Sequence, residues 1–291
     1  MSSLKEIRGR INSVKSTQKI TSAMKMISSA KLRKAQSHVE SFLPYEEKLY
    51  LILNSFLSSE SDSYSTPLSN KREVKRVAII AISSNSSLCG AFNSNVIQLL
   101  IKRIKDYKQQ NIEIELFPIG KKIEEASRKY IEGIELKGSF IELIDNPEFN
   151  GAKRIADEVI NDFLQKKIDK VELIYNHFKT TAIQIPTTET FLPFDIKINK
   201  KEQQYLSDYI VEPNKTALLN ELIPKSLRTK IFSIILDSAA AEQAARMVAM
   251  QIATDNADEL LSELSIKFNK QRQQAITSEL LDIIGGSEAL K

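Results

Sequence analysis

Both ends of this chain carry long stretches of helix-forming residues whose apolar positions recur at intervals of three and four. At the N-terminus the first of these positions are Leu4, Ile7, Ile11 and Val14. This spacing is typical of the narrow stripe that joins two helices in a coiled coil. We expect the stripe to continue through Ile20, Met24, Ile27, Val39 and Phe42. Pro44 is expected to end or kink the helix, with a second apolar helix following to about Leu57.

The C-terminal end has the same character. From Ile231 to about Ile284 only Gly285 and Gly286, at the far end, interrupt the helix propensity. The predicted apolar positions are Ala241, Ala245, Val248, Ile252, Leu260, Leu264, Phe268, Ile276, Leu280 and Ile284. Helices of this length rarely persist without a partner helix. We therefore expect the N- and C-terminal helices to pair with each other in antiparallel orientation.

The charges of the two ends are opposite in sign. Residues 1–36 contain nine Lys or Arg and one Glu, so 9 − 1 = +8, whereas residues 237–291 contain five bases and nine acids, so 5 − 9 = −4. A basic helix could bind nucleic acid or an anionic membrane surface. The acidic counterpart and the absence of aromatic residues among the bases favour attraction between the two ends instead, so nucleic acid remains a less favoured partner.

Between the two ends, strand and helix patterns alternate. Predicted strands cover 76–82, 112–119, 171–178 and 181–192, and predicted helices cover 93–110, 121–130 and 151–167. This order indicates an open, mostly parallel α/β sheet of Rossmann-like type with helices on its faces and an antiparallel edge. The predicted domains are an N-terminal helix (1–58), a linker (59–74), a central α/β domain (75–212) and a C-terminal helix (213–291).

The sequence contains few residues or motifs that indicate catalysis. The turn after the first strand, SSNSSLCGAFNSN, has one glycine, Gly90, and lacks both the dinucleotide fingerprint and the P-loop pattern. Cys89 is interpreted as a small buried packing residue and His177 as a core histidine. The carboxylate pairs Glu124 with Glu125 and Asp258 with Glu259 are expected on solvent-exposed helices. These features predict a protein that is not an enzyme and has no cofactor, with a nucleotide-dependent enzyme as the alternative.

Cysteine and hydropathy content indicate the compartment. A single cysteine cannot form an intramolecular disulfide, and one cysteine with two histidines does not make a zinc cluster of the usual type. The longest fully apolar run, 77–82, is far shorter than the roughly 20 residues that a membrane-spanning helix needs. We expect a reducing, cytoplasmic setting and no direct membrane span.

Three motifs resemble those of one known family. They are EIRGRINSVKSTQKITSAMKMISSAKLRKAQ near the N-terminus, SSLCGAFN in the middle, and ARMVAMQIATDNADELLSELSIKFNKQRQQAITSELLDIIGG near the C-terminus. Together, and in this order, they are similar to the gamma subunit of F-type ATP synthase, the central rotor shaft. One departure is that the family usually has an Asp and an Arg-Gly pair where this chain has Asn85, Ser86 and Ser87.

The resemblance implies a non-catalytic rotor subunit that couples proton flow to ATP synthesis or hydrolysis in the beta subunits. Its implied partners are the alpha and beta subunits of the catalytic hexamer, the epsilon subunit and the c-ring, at the cytoplasmic face of the bacterial inner membrane. By position in the family motifs, the residues that contact the beta subunits would be Met24, Arg272, Gln273 and Thr277.

Overall fold

The computed structural model describes residues 4–58, 66–131, 133–194, 211–212 and 214–288, so that part of the predicted linker, 59–65, lies outside the described residues. Within this range the helices are α1 (Leu4–Ser58), α2 (Phe92–Gln109), α3 (Lys121–Tyr130), α4 (Glu142–Asp145), α5 (Phe149–Leu164) and α6 (Lys215–Glu288). The strands are β1 (Arg76–Ile82), β2 (Glu113–Ile119), β3 (Glu135–Leu136), β4 (Lys170–Phe178) and β5 (Gln184–Leu192). A single 3-10 turn in this described part covers Pro67–Ser69.

The chain divides into two compact units. The helical unit combines Met1–Ser28 with Arg246–Lys291, and the α/β unit comprises Ser29–Ala245. Helices α1 and α6 contribute residues to both units.

The α/β unit contains a five-stranded sheet in the order β3-β2-β1-β4-β5. Strand β1 pairs in parallel with β2 on one side and with β4 on the other, β2 pairs in parallel with β3, and β4 pairs antiparallel with β5. The predicted open parallel sheet with an antiparallel edge is therefore confirmed. The short elements β3 and α4 were not predicted, because two and four residues carry too little periodicity to identify an element.

Both faces of the sheet are buried, because alternate residues of the central strands pack into different cores. On one face, Val77 and Ile79 of β1 pack with Val96 and Leu100 of α2. On the other face, the Ile80 side chain joins a core built largely from α5 and α6. Burial on both faces explains why β1 reads as a continuous apolar run.

The buried face of α1 keeps one heptad spacing along its whole length. The positions at this spacing are all buried or half-buried, and they are Leu4, Ile7, Ile11, Val14, Gln18, Thr21, Lys25, Ser28, Leu32, Ala35, Val39, Phe42, Glu46, Leu49, Leu53 and Phe56. Some residues beside them, such as Asn54, are buried as well. The prediction that the stripe continues through Ile20 and Ile27 is wrong, since these side chains are 59% and 58% exposed, whereas Thr21 and Ser28 are 8% and 2% exposed. Burial at these positions follows the heptad spacing rather than the hydrophobicity of the residue.

Pro44 does not end α1, which continues to Ser58. The prediction that the helix could end here, with a separate second helix following, is therefore wrong. The proline lacks one backbone N–H and its ring disfavours the preceding turn, but the flanking positions Phe42 and Leu49 remain on the buried face. Packing of that face offsets the cost of the proline.

Helix α6 also differs from its predicted apolar stripe. Leu264 and Phe268 lie on the less exposed face as expected, together with Met250, Thr254, Ala257, Leu261, Gln271 and Ala275. Ile252, Leu260, Ile276, Leu280 and Ile284 are exposed, so their assignment to the stripe is wrong. They repeat at multiples of four, a spacing that drifts around a helix away from the heptad stripe.

Helices α1 and α6 contact each other within each unit, and their antiparallel direction is observed in the helical unit. In the helical unit, Thr21 contacts Thr254 and Gln18 contacts Asp258. In the α/β unit, Glu46 accepts a hydrogen bond from Ser233, and the Phe42 and Phe232 rings pack edge to face at 5.0 Å. In the helical unit the residue numbers rise along α1 from Gln18 to Thr21 and fall along α6 from Asp258 to Thr254, which confirms the predicted antiparallel coiled coil.

Candidate functional site

The line of contact between α1 and α6 in the helical unit, marked on α1 by the heptad positions Leu4 to Ser28, is called the seam. Met24 lies beside this seam rather than in it. Its side chain is half-buried next to the seam position Lys25. Ile20 and Ile27, which share the helix side of Met24, are exposed. The three side chains form an outward-facing apolar row, defined here as the Met24 row. An exposed apolar row on a helix that already has a partner on its other side is a feature of interaction surfaces.

Arg272, Gln273 and Thr277 lie on the exposed side of α6. The Thr277 hydroxyl donates to the backbone carbonyl of Gln273 at 2.9 Å, so its donor is already satisfied within the helix. The less exposed residues of this stretch are Gln271 and Ala275, which continue the less exposed face of α6. The arrangement leaves the guanidinium of Arg272 and the amide of Gln273 directed away from the seam and available for hydrogen bonds.

Beyond these residues, α6 carries apolar side chains on an exposed surface. Leu280, Leu281, Ile283 and Ile284 are each more than half exposed. All positions from Ile276 to Ser287 are exposed in the described structure. We call 276–287 the apolar tip.

The structure places the predicted contact residues at two separate levels of the helical unit. Thr21 pairs with Thr254, so the antiparallel register places Met24 near Gln251. Arg272 lies 21 residues further along α6, which corresponds to about 30 Å at 1.5 Å per residue. Arg272, Gln273 and Thr277 share one level, whereas Met24 belongs to another.

The loop after β1 is held by a compact polar network. Ser84 N–H and Oγ both donate to the side-chain oxygen of Asn93, at 3.0 Å each. Asn93 Nδ2 in turn lies 3.1 Å from the sulfur of Cys89. Cys89 is buried, which confirms its interpretation as a packing residue. Leu88 in the same loop has a positive φ of 67° and is exposed.

Asn85, one of the residues that departs from the family pattern, joins three segments. Its Nδ2 donates to the Ile141 carbonyl at 2.7 Å and to the Asp145 carboxylate at 2.6 Å. Its Oδ1 accepts from the backbone N–H of Lys121, at the first turn of α3, at 2.9 Å. An aspartate could accept the last bond but could not donate the first two.

The crevice at the carboxyl ends of β1 and β4, where open α/β sheets usually bind ligands, is filled by protein side chains. Cys89 and Phe92 pack there against Ala241 and Ala245 of α6. Asn176 of β4 donates to the Phe92 carbonyl at 2.9 Å. The small alanine side chains let α6 approach closely over this end of the sheet.

The interpretation of His177 as a core histidine is wrong. Its side chain is half exposed, and Nδ1 lies 2.7 Å from Asp237 Oδ2 of α6. Asp237 Oδ1 also accepts from the backbone N–H of Phe178. Burial raises the pKa of Asp237, and His177 partly counteracts this rise. The pair ties the end of β4 to α6; the apolar neighbours in the sequence did not reveal it, because alternate residues at the end of a strand point away from the core.

Of the two carboxylate pairs predicted to be exposed on helices, three members are exposed and one is not. Glu125, Asp258 and Glu259 are exposed, but the Glu124 side chain is largely buried and pairs with Arg128 at 2.9 Å. In the part of the chain that the structure describes, no group of three or more His, Cys, Asp or Glu side chains could hold a metal ion. The described helices also include none long and apolar enough to cross a membrane.

Sequence reasoning missed the polar seam residues Gln18, Thr21, Lys25 and Ser28. The signal was present, since continuing the interval of Leu4, Ile7, Ile11 and Val14 by four and three leads to Gln18 and Thr21. Ile20 and Ile27 each lie one position before Thr21 and Ser28, and the prediction followed these apolar residues instead of the heptad spacing.

These features define a protein whose two ends form an antiparallel helix pair and whose middle forms an α/β sheet domain. A protein-family model described as ATP synthase matches residues 3–290. The chain is 52% identical to the ATP synthase gamma chain of Phocaeicola vulgatus, over 99% of this chain and 100% of that protein. It is 51% identical to the gamma chain of Azobacteroides pseudotrichonymphae over 100% of both. The chain belongs to the ATP synthase gamma chain family.

Solved structures with the same fold come from ATP synthases. A chain of the Tetrahymena thermophila mitochondrial central stalk and c-ring is 25% identical, with a TM-score of 0.57 over 80% of this chain and 99% of that one. A chain of the Euglena gracilis mitochondrial enzyme is 19% identical, with a TM-score of 0.66 over 99% and 94%. The second likeness concerns the fold alone.

Proposed function

We propose that this chain is the central rotor subunit of an F-type ATP synthase and couples transmembrane proton flow to ATP synthesis or hydrolysis. The observation that carries the proposal is the antiparallel helix pair, with its Met24 row, of which Ile20 and Ile27 are exposed, and its apolar tip, in a member of the gamma chain family. Catalysis would belong to the beta subunits, with no cofactor on this chain.

The proposed partners are the alpha and beta subunits of the catalytic hexamer, the epsilon subunit and the c-ring. The complex would lie at the cytoplasmic face of the inner membrane, with this chain peripheral to the bilayer. Supporting this assignment, the 25% identical chain of Tetrahymena thermophila comes from an assembly of the central stalk and c-ring. We also propose the four-part division into 1–58, 59–74, 75–212 and 213–291.

The beta subunits would contact this chain at two levels, through Met24 and through Arg272, Gln273 and Thr277. A rotor must leave each orientation again, and every additional 1.4 kcal/mol of binding at one angle slows escape about tenfold. Exposed, adaptable side chains such as Arg272 and Gln273 suit this requirement better than a buried aromatic cluster. Different contacts at each angle would shift the beta subunits between open and closed states.

Co-purification tests the assembly. The chain, affinity-tagged in its own cell, should bring down a multi-subunit ATPase, and a chain that stays alone under conditions that preserve the ATPase would refute the proposal. Arg272→Ala with Gln273→Ala should reduce the yield of coupled ATP synthesis in inverted membrane vesicles. Gln274→Ala, at a neighbouring exposed position, is the matched control and should leave coupling unchanged.

A further inference from the structure

The seam of the helical unit changes character partway along its length. From Leu4 to Val14, α1 presents aliphatic side chains, and the facing residues of α6 include Leu261, Leu264 and Phe268. The next heptad positions of α1 are Gln18, Thr21, Lys25 and Ser28. These four positions of α1 contribute little apolar burial, although Met250 and Ala257 of α6 are buried at this level.

Thr21 and Thr254 form a direct hydrogen bond between the two helices. Their hydroxyl oxygens lie 2.8 Å apart. The Thr21 hydroxyl also lies 3.0 Å from the Gln18 carbonyl, and the Thr254 hydroxyl 2.8 Å from the Met250 carbonyl. One hydroxyl therefore donates across the seam while the other donates to its own helix, and both oxygens are satisfied.

A second polar contact lies one turn away, on the flank of the seam. Gln18 Nε2 donates to the Asp258 carboxylate. The two contacts agree on one register, because Gln18 precedes Thr21 on α1 by three residues and Asp258 follows Thr254 on α6 by four. The same register places Ile7 opposite Phe268 and Val14 opposite Leu261, which are all less exposed positions.

We infer that Thr21 and Thr254 are positioning residues that set the register of the helix pair. A slip of one heptad would place Thr21 opposite Leu261 or Met247, where its buried oxygen would meet an apolar side chain. The apolar layers discriminate less, because apolar side chains can exchange partners without leaving a buried polar group unsatisfied. Polar residues inside a coiled coil specify register at a cost in stability.

Register determines which part of α6 lies opposite α1. The observed register places Gln271 opposite Leu4, the first described residue of α1, so that Arg272, Gln273 and the apolar tip follow beyond that level. A slip of seven residues would move this level by about 10 Å. The consequence for coupling rests on the proposed function, whereas the register itself does not.

Disulfide trapping in the isolated full-length chain measures the register directly. Val14→Cys with Leu261→Cys reports the observed register, and Val14→Cys with Phe268→Cys reports a one-heptad slip. Under redox equilibrium we expect the first pair to cross-link in large excess. In the Thr21→Val/Thr254→Val background the ratio of the two products should fall by about tenfold, while the melting temperature stays the same or rises. An unchanged ratio would overturn the inference.

Two controls separate register from stability. Ile11→Val/Leu264→Ala shrinks an aliphatic layer, so the melting temperature should fall while the cross-linking ratio is retained. Thr21→Ser/Thr254→Ser keeps both hydroxyls and should retain the ratio. A fall in the ratio with the serine variant would also contradict the inference. All measurements use the Cys89→Ala background, and none depends on ATPase partners, so failure here leaves the proposed function standing.

Discussion

Arg103 of α2 donates from both Nε and Nη2 to the carboxylate of Glu172 on β4, so a buried charge ties this helix to the sheet. Lys170 donates to the same carboxylate at 2.7 Å, and the Glu172 side chain is only 2% exposed. Burial alone would raise the pKa of Glu172, but the bonds from Arg103 and Lys170 outweigh it and hold the pKa below its ordinary value.

Glu172→Gln should destabilise the protein by about 1–3 kcal/mol at neutral pH. The reason is that Arg103 and Lys170 lose the negative charge with which they are paired. A carboxylate whose pKa is lowered by folding adds stability above its ordinary pKa, and this stability is lost as the pH falls through the folded-state pKa. The variant should therefore show a flatter decline of stability toward acid pH. Urea unfolding across a pH series from neutral to acid measures both effects.

The matched control for this prediction is Glu113→Gln. Glu113 also pairs with an arginine, Arg76, but its side chain is mostly exposed. Exposed pairs contribute about 0–1 kcal/mol. Equal effects of the two substitutions would contradict the role given to burial of Glu172.

Asn85→Asp should destabilise the α/β unit by about 1–3 kcal/mol. The substitution removes two hydrogen-bond donors and places a second carboxylate beside Asp145, which the Asn85 amide contacts at 2.6 Å. Thermal unfolding measures the loss. Adding Asp145→Asn to the same chain should restore part of it, because the amide introduced by this second substitution can donate to the carboxylate introduced by the first. No recovery would show that the bonds to Ile141 and Lys121 dominate.

Pro44→Ala should stabilise the chain by about 1–3 kcal/mol, since it restores a backbone N–H within α1 and removes the ring that crowds the preceding turn. Urea unfolding measures the change. Ser41→Ala, another substitution at an exposed position of the same helix, should alter stability by about 0.5 kcal/mol or less. A loss of stability in Pro44→Ala would mean that packing of α1 depends on the proline.

Met24→Lys should impair coupling more than ATP hydrolysis, because it adds a charge to the apolar row proposed to meet the beta subunits. Proton pumping and ATP hydrolysis, measured in the same inverted membrane vesicles, give the ratio. Ala23→Lys, at the adjacent exposed position, should disturb the ratio less. Loss of pumping and hydrolysis in equal proportion would argue against a specific coupling contact at Met24.

Much of this architecture follows from local patterns. The continuous apolar run of β1 and the alternation of strands with helices predicted the α/β domain, since burial on both faces of a parallel sheet leaves that signature. The interval of three and four at Leu4 to Val14 predicted a paired helix. The family motifs indicated the gamma chain resemblance that the comparisons confirmed.

Other features depended on which surfaces meet. Ile27 is far more hydrophobic than Ser28, yet Ser28 is buried and Ile27 exposed, because the orientation of a long helix is set by all its contacts together. In the same way, His177 pairs with Asp237, 60 residues away in the chain. Local sequence determined the elements and the pairing of the two terminal helices. Only the tertiary structure decided the register and the facing residues, because these depend on contacts between segments that are distant in the chain.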